Sequence, residues 1–338
     1  MTPTPLSSSP PRGLAALIVL ALLPLATAGL VACADELAEL VPATVDDDPS
    51  LPALDLDDTR LHLATHGRPG DPVVIVLHGG PGGDHRALEP MAALADSGLF
   101  VVLWDQRGTG LSRRHACDDL TADRYLADLE ALVDRFAPAG TPVFFVGHSW
   151  GAMYATWYMN EHPERASGAV LMEPGGLTAA EVEAYMSALV SDELLSEGMG
   201  DALWTGRLVT PDDHARADLM TAVMFDSVGA ALGFSRTDPA PSWRSGGVVS
   251  TCLPASAGDY DWTTRLAEVE APILYLHGDK NRASPPARQR RIAAHYHDAE
   301  VRLIEGAGHD LHWSHRAVIV PMARDFILET LAADGGAR

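Results

Sequence analysis

Basic charge is scarce in this 338-residue chain: 24 Lys and Arg side chains stand against 46 Asp and Glu, a formal net charge of −22. Phosphate backbones are held by clustered cations, so no nucleic-acid partner is expected. Lysine is nearly missing, since every basic residue except Lys280 is arginine. That skew carries no mechanism. Cysteine is sparse as well: Cys33, Cys117 and Cys252 are too few for a disulfide scaffold, and their spacing matches no zinc pattern. What is present is a hydrophobic fraction of 47%, which argues against disorder. The length allows one large core or two modest ones.

Residues 1–12 are polar and rich in Pro and Ser, and the run from Leu14 to Val31 is almost wholly apolar. This is the n-region and h-region of a signal peptide. It runs into Leu30-Val31-Ala32-Cys33, which resembles the bacterial lipobox, with Cys33 as the acylated residue. The reading is therefore a signal peptide over 1–32 and a lipid-anchored protein of the bacterial cell envelope. Ala34 in place of Asp points to the outer membrane if the cell is Gram-negative. Cleavage after Ala26-Thr27-Ala28 would give a secreted protein instead, and Pro24 and Gly29 argue against a lasting membrane span. Between 35 and 58 lie nine acidic residues, no basic ones and three prolines. Such a stretch repels itself and buries little, so 33–58 reads as a solvated acidic tether.

From residue 59 onward, continuous apolar runs alternate with helical patterns. Val73–Leu77, Phe100–Trp104, Val143–Val146, Ala169–Met172 and Ile273–Leu276 are the runs; Asp123–Phe136 and Trp150–Glu161 are candidate helices. Strands apolar on both faces belong to a mostly parallel sheet covered on both sides, a doubly wound α/β fold. The alternation stops over 177–262, which is Ala/Met/Trp-rich and helical in pattern. This reads as a helical cap inserted into a core of 59–176 and 263–338.

Gly147-His148-Ser149-Trp150-Gly151 lies between a strand and a helix, the context in which G-x-S-x-G marks a nucleophile on a sharp turn. His78-Gly79-Gly80-Pro81-Gly82-Gly83 follows the first clear strand, and a Gly-rich loop there offers backbone N–H groups to an oxyanion. The Gly80 and Trp150 N–H groups are the expected donors. His309, in Gly306-Ala307-Gly308-His309 after the last strand, is the expected general base for Ser149. His312 and His315 follow at helical spacing; a metal cluster or surface histidines are the alternatives, and no metal is expected.

His78–Gly83, Asp105-Gln106-Arg107-Gly108-Thr109-Gly110-Leu111-Ser112 and Gly147–Gly151 together resemble the prolyl iminopeptidase group of α/β-hydrolase fold enzymes, over about residues 60–175. The resemblance implies that fold, a Ser-His-acid triad without cofactor, and an aminopeptidase acting on a short peptide or other small molecule. Carboxylic-ester hydrolysis is the alternative. The acid departs from that pattern, because Asn281 stands where the family carries Asp after the seventh core strand. Glu173, at the end of the sixth strand, is the preferred acid and Asp279 the alternative, since some enzymes of this fold carry the acid after the sixth strand. A non-catalytic surface-binding lipoprotein is the reading from another class, with Asn281 as its symptom.

Asp105 and Arg107 read as a structural brace for the oxyanion loop. Exported relatives of the family carry cysteines near positions 117 and 252, which implies a Cys117–Cys252 disulfide; two separate thiols are the other reading. Trp104, Trp204 and Trp243 are candidates for an apolar pocket or for core packing. Glu181, Glu183 and Asp226 are candidates to meet a substrate ammonium. Replacing Cys33 by Ser is expected to move the protein from the membrane fraction to the soluble one, and unchanged fractionation would count against lipidation.

Overall fold

The computed structural model describes residues 41–189, 198–208, 213–235 and 237–336. The apolar runs form β3 (Val73–Leu77), β4 (Phe100–Trp104), β5 (Val143–His148), β6 (Gly168–Met172) and β7 (Ile273–Gly278), each buried along its length. β1 (Ala53–Asp55), β2 (Arg60–His66) and β8 (Ala299–Ile304) complete one eight-stranded sheet, ordered β1-β2-β4-β3-β5-β6-β7-β8. β3 to β8 are parallel, and β1 and β2 pair antiparallel at one edge.

Successive side chains of a strand point to opposite faces. Val73, Ile75 and Leu77 accordingly pack with α1 (Ala122–Phe136) and α2 (Trp150–Glu161). Val74 and Val76 enter the other layer, with Leu88 and Met91 of the 3-10 stretch His85–Ser97 and with Ile319 and Ile327 of the C-terminal helix. Both faces are covered, as the alternation of runs and helices predicts.

Between β6 and β7 the chain inserts α3 (Ala179–Leu189), α4 (Met199–Leu208), α5 (Asp213–Leu232) and α6 (Gly247–Ala257), with no strand among the described residues. The base of the insertion is closed. Thr178 and Asp261 form an antiparallel bridge, Ala179 N–H donates to the Tyr260 carbonyl at 3.0 Å, and Trp262 N–H donates to the Leu177 carbonyl at 3.0 Å. After β7 come α7 (Pro286–Ala293) and α8 (Arg316–Gly336), and none of the described helices is long and apolar enough to cross a membrane.

The expected tether needs correction over its described part. Val45 is fully buried and its N–H donates to the Leu111 carbonyl at 2.8 Å, while Arg60 Nη1 donates to the Val45 carbonyl at 2.6 Å. Asp46 pairs with Arg113, and Asp58 with Arg107 and Arg124. Arginines of the core thus offset the self-repulsion that the acidic run implies by itself, and the body begins before residue 59. The signal peptide 1–32 and Cys33 lie outside the described residues.

Cys117 and Cys252 are bonded, with Cα atoms 5.4 Å apart, which ties α6 of the insertion to the core. A cross-link over 135 residues removes unfolded-state entropy worth at most about 5 kcal/mol. The Cys117→Ser/Cys252→Ser protein should therefore unfold at lower denaturant concentration than the oxidised wild type. Coincident midpoints would show that the bond adds nothing to stability.

Candidate active site

Ser149 sits where β5 turns into α2, at φ 53° and ψ −118°. A non-glycine residue at positive φ is strained by roughly 1–3 kcal/mol and persists only where its surroundings enforce it. Here Ser149 N–H donates to the Met172 carbonyl at 2.8 Å, and the Ser149 carbonyl accepts from Ala152 and Met153 at 3.0 and 3.1 Å. The flanking glycines are required by space. A Cβ on Gly151 would run into the Leu77 carbonyl, and one on Gly147 into the Gly151 carbonyl.

Glu173 follows β6, is fully buried, and is the other described non-glycine residue at positive φ, 46°. Its Oε1 accepts from Gly278 N–H at 2.8 Å; its Oε2 accepts from Asn281 Nδ2 at 2.8 Å and lies 2.8 Å from His309 Nδ1. A carboxylate can only accept, so Nδ1 carries the proton and Nε2 is left to accept from Ser149 Oγ, 2.9 Å away. His309 is placed by its own backbone: its N–H donates to the Leu232 carbonyl of α5 at 2.8 Å, and its carbonyl accepts from His148 Nε2 at 2.7 Å. Phe234 stacks parallel to the imidazole at 6.3 Å.

Ser149, His309 and Glu173 are thus brought together as expected. Asp279 is not: its Oδ1 accepts from Gly306 N–H at 2.8 Å and its Oδ2 meets Lys280, so its carboxylate is directed at the loop before His309. The alternative acid is therefore set aside on geometry.

The oxyanion loop turns at Gly80, whose φ of 130° admits no side chain, because a Cβ would meet the N–H groups of Gly82 and Gly83. Among the described residues no acceptor engages the N–H of Gly80 or Trp150. Both remain free for an oxyanion. The D-Q-R-G motif contributes through Gln106, which sequence reasoning passed over. Its N–H donates to His78 Nε2 at 3.1 Å, its Nε2 to the His78 carbonyl at 3.1 Å, and its Oε1 accepts from Trp150 Nε1 at 2.9 Å. One side chain therefore links the oxyanion loop to the residue after the nucleophile. Asp105 and Arg107 act further out, as expected of a brace. Arg107 grips Asp128 and Asp58.

The insertion also holds this loop. Ser250 Oγ donates to the Pro81 carbonyl at 2.7 Å, and Gly246 N–H to the Gly82 carbonyl at 2.6 Å. Asp84 accepts from Ser242 Oγ at 2.7 Å and from the N–H groups of Trp243 and Arg244.

His62, His85 and Asp105 are the metal-competent group among the described residues. Asp105 Oδ1 accepts from the N–H and Nδ1 of His85, and Oδ2 from His62 Nδ1 and Leu111 N–H, all at 2.8–2.9 Å. Four donors fill the carboxylate, and the nitrogens that would ligate a metal are those donating to it. The group fits a hydrogen-bonded brace better than a metal centre. His312 is buried against His148, with ring centroids 3.8 Å apart, and His315 bonds Ser314 Oγ at 2.9 Å. Neither joins His309 in a metal-competent group. Burial pushes His78 down to about 4 and His312 to about 3, and holds His148 well below the ordinary imidazole value.

Of the tryptophans, Trp104 packs in the core in contact with Tyr154, one of its two expected places, while Trp204 and Trp243 are exposed on the insertion, which fits neither core packing nor an enclosed pocket. Glu181 is committed to Leu177 N–H and His295, and Glu183 and Asp226 are exposed.

The fold and this strand-turn-helix geometry define a class of protein. A family model described as α/β hydrolase fold matches residues 72–316, and the chain belongs to that family. It is a hydrolase. Among its relatives, proline iminopeptidase PfmaB of Pestalotiopsis fici is 25% identical over 287 residues, covering 81% of this chain and 98% of that one. A proline iminopeptidase of Lactobacillus helveticus is 28% identical over 262 residues, covering 70% and 83%. The solved proline iminopeptidase of Mycobacterium smegmatis superposes with a TM-score of 0.56 at 21% identity, covering 84% of this chain and all of that one.

Burial and then the charge of Asp105 push the Asp84 carboxyl up to about 6 from its ordinary 3.8. Between those values the folded chain keeps a proton that the unfolded chain has lost, so this group's contribution to stability falls as pH rises from about 4 to about 6. Asp84→Asn should flatten the melting temperature over that interval, and an unchanged slope would show that Asp84 is ionised throughout.

Proposed function

We propose that this protein is a serine hydrolase that cleaves an acyl bond through Ser149, His309 and Glu173. The observation that carries the reading is the continuous relay from Ser149 Oγ to His309 at 2.9 Å and from His309 to the buried Glu173 at 2.8 Å. Ser149 Oγ attacks the carbonyl carbon while His309 Nε2 takes its proton, and Glu173 stabilises the resulting imidazolium. The Gly80 and Trp150 N–H groups receive the oxyanion. His309 returns the proton to the leaving amine or alkoxide, and water then repeats the sequence on the acyl-enzyme with release of the acid. No step needs a cofactor.

As substrate we favour a short peptide with a free N-terminus, cleaved as in prolyl iminopeptidases. The two curated relatives and the H-G-G-P-G and D-Q-R-G-x-G-x-S motifs support this. The second reading, a carboxylic-ester hydrolase, is favoured by one observation: Glu173 is occupied by His309 and Asn281, and Glu181, a candidate to meet a substrate ammonium, is committed to Leu177 N–H and His295. An aminopeptidase needs a further carboxylate for the substrate ammonium. The non-catalytic binding lipoprotein loses its ground, because Glu173 supplies the acid that Asn281 cannot. The apolar segment before Cys33 supports export and lipid anchoring as part of the same proposal.

A fluorophosphonate probe should label the wild type and not Ser149→Ala. Proline and alanine anilides assayed beside short-chain p-nitrophenyl esters separate the two substrate readings, and ester turnover with no anilide turnover would overturn the peptidase. Glu173→Gln should lower kcat by about 10³–10⁴-fold.

A further inference from the structure

The loop that offers the Gly80 N–H is seated against the first turn of α6. Gly82, at φ 105°, has no room for a side chain, because a Cβ there would run into Ser250 Oγ and the Gly246 carbonyl. Ser250 Oγ donates to the Pro81 carbonyl, one residue from Gly80, and Gly246 N–H donates to the Gly82 carbonyl. The helix that presents these groups is a poor one by itself. Its sequence, Gly-Val-Val-Ser-Thr-Cys-Leu-Pro-Ala-Ser-Ala, is dominated by weak helix formers, and Pro254 has no N–H to offer the Ser250 carbonyl four residues before it. Tertiary contacts therefore set its place. Val249 and Leu253 are buried in the core, Asp218 Oδ1 accepts from Gly247 N–H at 2.9 Å, and Cys252, two residues beyond Ser250, is bonded to Cys117. Cys117 is exposed, so a thiol in solution can reach the bond.

We propose that the Cys117–Cys252 bond is a redox-sensitive strut of the oxyanion site that acts through Ser250 as a positioning residue. With the bond closed, Ser250 holds the loop that carries the Gly80 N–H; with it open, the loop relaxes and the chemical step slows. The proposal rests on the serine-hydrolase reading above. Closing the bond removes two electrons and two protons from the pair of thiols and passes them to a disulfide oxidant, which is reduced to thiols; a dithiol opens it by closing to its own disulfide. The cytoplasm keeps thiols reduced, whereas compartments outside it let disulfides form. On the export reading, the chain is slow while reduced and reaches its full rate only after leaving the cytoplasm. The physical basis lies in what an oxyanion donor does. It acts through a hydrogen bond to charge that develops only in the transition state, so a small displacement of Gly80 lowers the rate without weakening ground-state binding. The loss is partial, because Val249, Leu253 and Asp218 still hold α6 when the bond is open.

The test uses the full chain, with turnover of p-nitrophenyl acetate and inhibition by an alkyl trifluoromethyl ketone, whose adduct with Ser149 places an oxyanion at the Gly80 and Trp150 N–H groups. Dithiothreitol should lower kcat about three- to tenfold at unchanged KM and weaken the ketone by the same factor, and oxidised glutathione should restore both. Cys117→Ser/Cys252→Ser should match the reduced wild type and respond to neither reagent. Ser250→Ala keeps the bond and should show the same loss in kcat alone. Opening the bond in that variant should cost less than in the wild type, since both changes act on one contact. Melting temperatures above the assay temperature show that the open forms are folded. An unchanged kcat in wild type whose Cys117 and Cys252 have become open to alkylation would overturn the strut, as would a loss confined to KM, a Ser250→Ala protein as fast as the wild type, or full additivity of the two changes. A wild type that a fluorophosphonate does not label would overturn the serine-hydrolase reading instead.

Discussion

His148 of β5 lies opposite Met172 of β6, and Met172 opposite Leu276 of β7, so Ser149 and Glu173 leave the sheet at one level while β7 runs on to Gly278 beside β8. The rest of the site depends on this register. Ser149 and Glu173 both turn out of their strands at positive φ, and each is held by the neighbour strand, through Ser149 N–H to Met172 and Glu173 N–H to Leu276 at 3.1 Å. Two strained backbones side by side are sustained because the parallel ladder beneath them is buried on both faces and cannot slip by one residue. A slip would send Ser149 and Glu173 to the wrong side of the sheet.

Around that fixed pair, the remaining groups arrive from distant parts of the chain. His309 comes after β8 and is seated on the end of α5 and on His148. The oxyanion loop comes after β3 and is gripped by 242–250 of the insertion, whose helix α6 is bonded covalently to the core at Cys117. Insertion and core therefore share the catalytic geometry in the proposed mechanism. The insertion does more than roof the site, since it holds the loop that offers the Gly80 N–H.

Legibility in the sequence followed the range of the interactions. The strands and α2 were readable because continuous apolar runs and helical spacing are local patterns, and Gly147 and Gly151 were readable because one turn imposes both. The edge strands β1 and β2 and the docking of 41–58 were not. The acidic run 46–58 looks repulsive until Arg60, Arg107, Arg113 and Arg124 are placed against it. Gln106, Asp84 and Ser250 were missed for the same reason: each acts on partners 28 or more residues away, and a lone Gln, Asp or Ser carries no spacing signal. His148, the variable residue inside G-x-S-x-G, is likewise seen to matter only when the His309 carbonyl lies against it.

By itself the sequence determined the parallel α/β sheet and marked Ser149, the Gly-rich loop and His309 as candidates, because each lies in a contiguous motif with its own local geometry. It also left Glu173 and Asp279 as the two candidate acids, since Asn281 cannot carry charge. Only the tertiary structure decided which carboxylate meets His309. Glu173 and Asp279 are both near strand ends, and hydrogen-bond distance across 136 residues of chain, not spacing along it, selects Glu173 and turns Asp279 toward Gly306.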